Sequence, residues 1–168
     1  ASSLATRILA EPSLSTKKDL ARRLGRQATP GAQDALLQLL EADSYWDRLA
    51  AVAGLAGAKD LRAATALAKR YISDPMIRDA IAPLALADAS VFAPVLMARW
   101  DEEAERGRGE ILTILGKMNS AEPARFLETL ARDRGEPLAA PALQALVSGH
   151  PDRVATARAL VAEPALRT

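Results

Sequence analysis

Apolar residues recur three and four places apart along this chain, in runs of about three turns separated by Pro, Gly, Asp and Ser. No run alternates with a period of two over the length of a strand. The pattern predicts eleven helices, at 3–10, 16–27, 31–42, 45–57, 61–72, 76–87, 91–104, 109–118, 122–133, 137–148 and 152–162. The breaks fall at Pro12–Ser15, Thr29-Pro30-Gly31, Asp43-Ser44, Lys59-Asp60 and Asp74-Pro75, then at Arg106–Gly109, Asn119-Ser120, Gly135-Glu136-Pro137 and His150-Pro151.

The helices repeat. A step of 30 residues leads from Lys18 to Arg48, Arg78 and Arg108, and from Ala21 to Ala51, Ile81 and Ile111. Leu24, Gly54, Leu84 and Ile114 form a third column, and Leu37, Leu67, Met97 and Leu127 a fourth. Asp60, Ser90 and Ser120 share the same spacing, each an N-cap type of residue before a helix. Apolar columns coincide easily in an alanine-rich chain; a basic column and a cap column coincide less easily. Each repeat is therefore read as a helix pair, A then B, too short to bury its apolar face alone and stacked on the next pair.

The predicted fold is all-α: a right-handed α-solenoid of five helix pairs and a terminal helix. It forms one domain over 1–168, with repeats at approximately 1–30, 31–60, 61–90, 91–120 and 121–150 and a half repeat at 151–168. Composition agrees. Of 168 residues 49% are hydrophobic and only 4% aromatic, as close-packed helices rather than sheets require. If Leu84 and Ile114 line the layer between repeats, truncating either to alanine costs ~2–5 kcal/mol.

These columns resemble the HEAT family, in particular the short HEAT-like repeats of bilin-lyase-type proteins. The run Asp74-Pro75-Met76-Ile77-Arg78-Asp79-Ala80-Ile81 is similar to the family's Asp-Pro-x-x-Val-Arg-x-Ala-Ala signature. Asp43, Arg48, Ala50, Ala51 and Leu55 match it in part, and Arg108, Ile111, Ile114, Leu115 and Gly116 keep the Arg and the Leu-Gly ending. Lys18, Ala21, Leu24 and Gly25 form a weaker copy. In the fifth unit the basic position is Leu138, and Pro141 falls inside the second helix. The resemblance covers the whole chain and implies a binding scaffold, since the family is mostly one of scaffolds.

Charge and reactive residues narrow the chemistry. There are 22 Lys and Arg against 21 Asp and Glu, one His and no Cys. Disulfides, thiolate sites, a Cys nucleophile and a multi-histidine metal site within this chain are excluded. No nucleophile–base pair or glycine-rich phosphate loop can be assembled, so no catalytic, cofactor-binding or metal-binding residue is assigned. The acidic group Asp101, Glu102, Glu103 and Glu105 lacks the spacing of a Ca²⁺ loop and reads as a solvated helix end. His150-Pro151-Asp152 is similar to the tripeptide of J-domain co-chaperones, but sixteen residues after it are too few for that domain. It reads as a helix stop and start.

Three features bear on binding. The basic column reads as a register ladder, each cation bonding an Asp or carbonyl at the preceding turn, with Asp43 and Asp74 as acceptors. Lys17, Lys18, Arg22, Arg23 and Arg26 share one helix in a first repeat of net charge +4, beside a second repeat of net −3. Trp100 falls in a leucine column, Leu40, Leu130 and Leu160, and is expected in the core. Trp46 stands among Thr16, Met76, Arg106 and Glu136, a mostly polar column, and is expected at the surface. The candidate partner-binding residues are Tyr45, Trp46, Met76, Lys17, Arg22, Arg23 and Arg26.

The expected function is a non-catalytic scaffold that binds a protein or peptide, with no nucleic-acid partner, because the net charge of +1 provides no broad basic field. Trp46, Arg48, Ala50 and Ala51 also look like the HEAT-like tail of some bacterial zinc aminopeptidases, which makes an accessory domain of a larger enzyme the alternative. A start at Ala-Ser-Ser suits an excised domain, a processed form or a tag remnant. HEAT-like DNA glycosylases and bilin-acting enzymes share the implied shape and are less favoured. No apolar run reaches the ~20 residues of a membrane span. A soluble protein is expected, cytoplasmic or, after removal of a signal peptide, periplasmic.

Overall fold

The computed structural model describes residues 2–57, 60–133, 135–149 and 154–162. Among these residues there are eleven α-helices and no strand. They are α1 (Ser2–Ala10), α2 (Leu14–Gly25), α3 (Pro30–Leu40), α4 (Tyr45–Leu55), α5 (Leu61–Ser73), α6 (Arg78–Ala87), α7 (Ala89–Ala98), α8 (Glu105–Lys117), α9 (Ala121–Arg132), α10 (Ala139–Gly149) and α11 (Val154–Ala162). The chain divides into two compact units, Ala1–Leu84 and Ala85–Thr168.

Local chemistry starts the helices of the first unit. The side chains of Ser13, Thr29, Ser44 and Asp60 accept from the backbone N–H three residues on, at Thr16, Ala32, Asp47 and Ala63. Each cap contributes about 1 kcal/mol. Pro30 at the first position of α3 suits a site whose N–H has no intrahelical acceptor. The cap column is only partly realised. Asp60 and Ser120 occupy N-cap positions, whereas α7 begins after Asp88 and Ser90 sits in its first turn. There the Ser90 hydroxyl donates to Asp88 instead of capping the helix.

Within each unit, helices pack on the helix two places along. In the first unit α1 meets α3, α2 meets α4, and α3 meets α5; in the second α7 meets α9 and α8 meets α10. The α2–α4 pair runs parallel, since Lys17 reaches Asp47 near one end and Gly25 meets Gly54 near the other. Leu24, Leu36, Leu40, Leu55 and Leu67 fill the first core, and Leu96, Ile111, Ile114, Leu115 and Leu127 the second. Alanines at 21, 50, 51, 63 and 68 are wholly buried or nearly so, which is how short helices come close.

Three expectations need correction. The seventh predicted helix, 91–104, ends at Ala98 and is followed by a single 3₁₀ turn, Trp100–Glu102. The predicted break at 106–109 lies inside α8, which starts at Glu105: Gly107 is buried there, so tertiary packing outweighs the weak helix propensity of glycine. Leu84 is half-buried, whereas Ile114 is fully buried. Leu84→Ala is accordingly expected to cost about 1 kcal/mol, less than Ile114→Ala, when the two variants are compared in urea melts. Pro141, third in α10, is harmless because first-turn N–H groups have no intrahelical partner.

Candidate protein-binding surface

The arginines of the basic column bond mainly to backbone carbonyls, one of the two kinds of partner that their spacing implied. Arg48 donates to the carbonyls of Ala42 (2.9 Å) and Asp43 (2.6 Å), just past the end of α3. Arg78 donates to the carbonyls of Tyr71 and Ile72 in the last turn of α5, and stacks over the Tyr71 ring at 5.7 Å. Arg108 donates to the carbonyl of Trp100 at 2.9 Å and lies 5.3 Å from that ring's centre. Each guanidinium thus ties the first turn of α4, α6 or α8 to carbonyls at or just past the end of the helix before it. Asp74 is ion-paired with Arg48, whose Nε lies 2.8 Å from its Oδ2, whereas Asp43 contributes only its backbone. A row so engaged is not free to bind an anion.

On α2 the inward cation is Lys17, not Lys18. Lys17 is only 7% exposed and is ion-paired with Asp47, itself 7% exposed. Its Nζ also donates to the carbonyl of Leu9 at 3.4 Å, so one side chain joins α1, α2 and α4. Lys17 therefore leaves the set of candidate contact residues: a partner cannot reach it. Its column mates Asp47, Ile77 and Gly107 are all buried, a signal in the spacing that the basic column of Lys18 overshadowed.

The aromatic candidates lie at the other side of α4. Ser44 caps the helix and Asp47 turns inward to Lys17, so Trp46, one residue earlier and about 100° away, points outward. Trp46 is 53% exposed, while Trp100 is 5% exposed and packs edge-on against Phe126. Tyr45 is half-buried, its ring centre 4.9 Å from that of Trp46. Met76 is 64% exposed in the turn before α6, where its N–H donates to Asp74 Oδ1. The ion pair of Asp74 with Arg48 thereby also fixes the loop that presents Met76.

The remaining basic candidates gather at the opposite end of the α2–α4 pair. Arg22, Arg23 and Arg26 are exposed at the C-terminal end of α2, with Arg22 donating to Asp19 at 2.9 Å. Leu9 and Leu61, 57% and 66% exposed, are surface apolar residues that the periodicity did not single out.

Glu102 and Glu103 pair with Arg99 on the preceding turn, and among the described residues no group of three acidic or histidine side chains could hold a metal ion. His150-Pro151-Asp152 lies outside the described residues. No single helix among the described residues is long and apolar enough to cross a membrane. The chain matches no family model and none of the curated proteins.

Proposed function

We propose that this chain is a helical-repeat scaffold, similar to HEAT-like arrays, whose helix pairs stack as a right-handed α-solenoid and bind a protein partner through a B-helix face. Tyr45, Trp46 and Met76 form its anchor. The observation that carries the reading is the 53% exposure of Trp46, set beside Tyr45 and held outward by a capped helix start. Exposed tryptophan next to tyrosine is the composition that dominates binding energy at protein interfaces. The like-on-like helix packing within each unit and the recurring arginine tie at 48, 78 and 108 support the repeat.

The test is affinity capture from the source extract with the intact chain and with Trp46→Ala. Both should give the same helical circular dichroism, because Trp46 adds little to the core. A partner enriched by the intact chain and lost with Trp46→Ala supports the reading. Equal enrichment by both, or none by either, overturns it.

A further inference from the structure

The C-terminal ends of α2 and α4 enclose an open groove of about 460 Å³, within the usual size of a ligand site. Arg22 and Arg26 line one side, and Ala53, Ala56 and Gly57 the other. Resting on the scaffold reading above, we infer that this groove takes an acidic peptide segment of the partner, its carboxylates on the two arginines and an apolar side chain against the alanines.

Three observations carry this. First, the charge is one-sided and available. Arg22 meets only the exposed Asp19, and Arg26 has no carboxylate within ion-pair distance among the described residues. Cations at a helix C-terminus suit the helix dipole, but the dipole does not require an uncharged wall opposite them. Guanidinium forks there match carboxylates in a two-bond geometry. Second, the far wall is built of methyl groups and of Gly57, around whose Cα there is open space: a Cβ added there would meet nothing within 4 Å. That space is what a docked side chain needs. Third, the groove continues the aromatic anchor. Ala53 lies seven residues after Trp46 on α4, on the same side of the helix and about 10 Å along its axis, and Gly57 follows in the turn just past the helix end. About three extended residues span that distance.

A phosphate backbone fits less well. Nucleic acid needs cations tracking it along several repeats, and the α4 wall of this groove offers none.

The test uses fluorescence anisotropy at low salt with three probes: a short fluorescein-labelled glutamate-rich peptide with a central leucine, the same peptide with lysine for glutamate, and labelled oligothymidylate. The glutamate peptide is expected to bind, and the lysine peptide not. Arg22→Gln/Arg26→Gln should weaken binding about tenfold or more. Gly57→Leu fills the groove without changing charge and should weaken it comparably. Tighter binding of oligothymidylate, full binding by Gly57→Leu, or no binding of the glutamate peptide overturns the inference. If the peptide fails while Trp46-dependent capture persists, the groove assignment falls and the scaffold stands. Loss of both removes the scaffold as well.

Discussion

Replacing Gly25 with alanine is expected to destabilise the protein, although the same exchange in an ordinary helix stabilises it by up to about 1 kcal/mol. A Cβ at position 25 would lie 2.1 Å from the carbonyl oxygen of Gly54 and 3.1 Å from its carbon. Those are backbone atoms, so no side chain can swing aside. The α2 and α4 backbones must separate, and separation opens the contacts around buried Ala21, Leu24 and Leu36. Gly25→Val aggravates the clash and is expected to cost more than about 3 kcal/mol, beyond the common range for overpacking because backbone must move. Gly57→Ala is the internal control: it meets nothing within 4 Å and should be neutral or slightly stabilising. Urea denaturation of the three variants checks this. A Gly25→Ala protein as stable as the parent would mean that α2 and α4 do not approach as described. In the second unit a Cβ on Gly149 would fall 1.6 Å from the carbonyl oxygen of Gly116, so the same device closes α8 against α10.

Those glycines show where sequence reading stops. Helix number and most helix ends were legible because caps and breakers act locally: Ser13, Thr29, Ser44 and Asp60 each mark a start by their own side-chain chemistry. Close approach is not local. Gly54 stood in an apolar column with Leu24, Leu84 and Ile114, and nothing in the spacing distinguished a glycine that fills a column from one that lets a neighbouring backbone in. Gly107 and Gly109 read as a break for the same reason, although α8 runs through both. The exposure of Trp46 was legible from its polar column mates. The groove beyond it was not, because the wall facing Arg22 and Arg26 is made of alanine and glycine, whose small side chains leave no distinctive signal in the spacing.

The choice between Lys17 and Lys18 is the sharpest such case. Neighbours on a helix differ by about 100°, so two adjacent lysines meet different surroundings, and the fold buries Lys17 against Asp47 while Lys18 is only half-buried. Lys17→Met is therefore expected to cost about 3–5 kcal/mol, the effect of leaving a buried charge without its partner. The residual Asp47 carboxylate sits in the first turn of α4, where the helix dipole offsets part of that cost. The double variant Lys17→Met/Asp47→Leu removes both charges and should recover most of the loss, so the two substitutions are far from additive. Added salt should change the cost of Lys17→Met little, since a buried pair is weakly screened. Urea melts at two ionic strengths measure both expectations, and a cost below about 1 kcal/mol would place the pair in solvent. Lys17 also holds the carbonyl of Leu9, so its loss frees α1 in particular. Amide exchange over Ile8–Ala10 should accelerate more than exchange in α3, whose cap at Thr29 and packing on α4 do not involve Lys17.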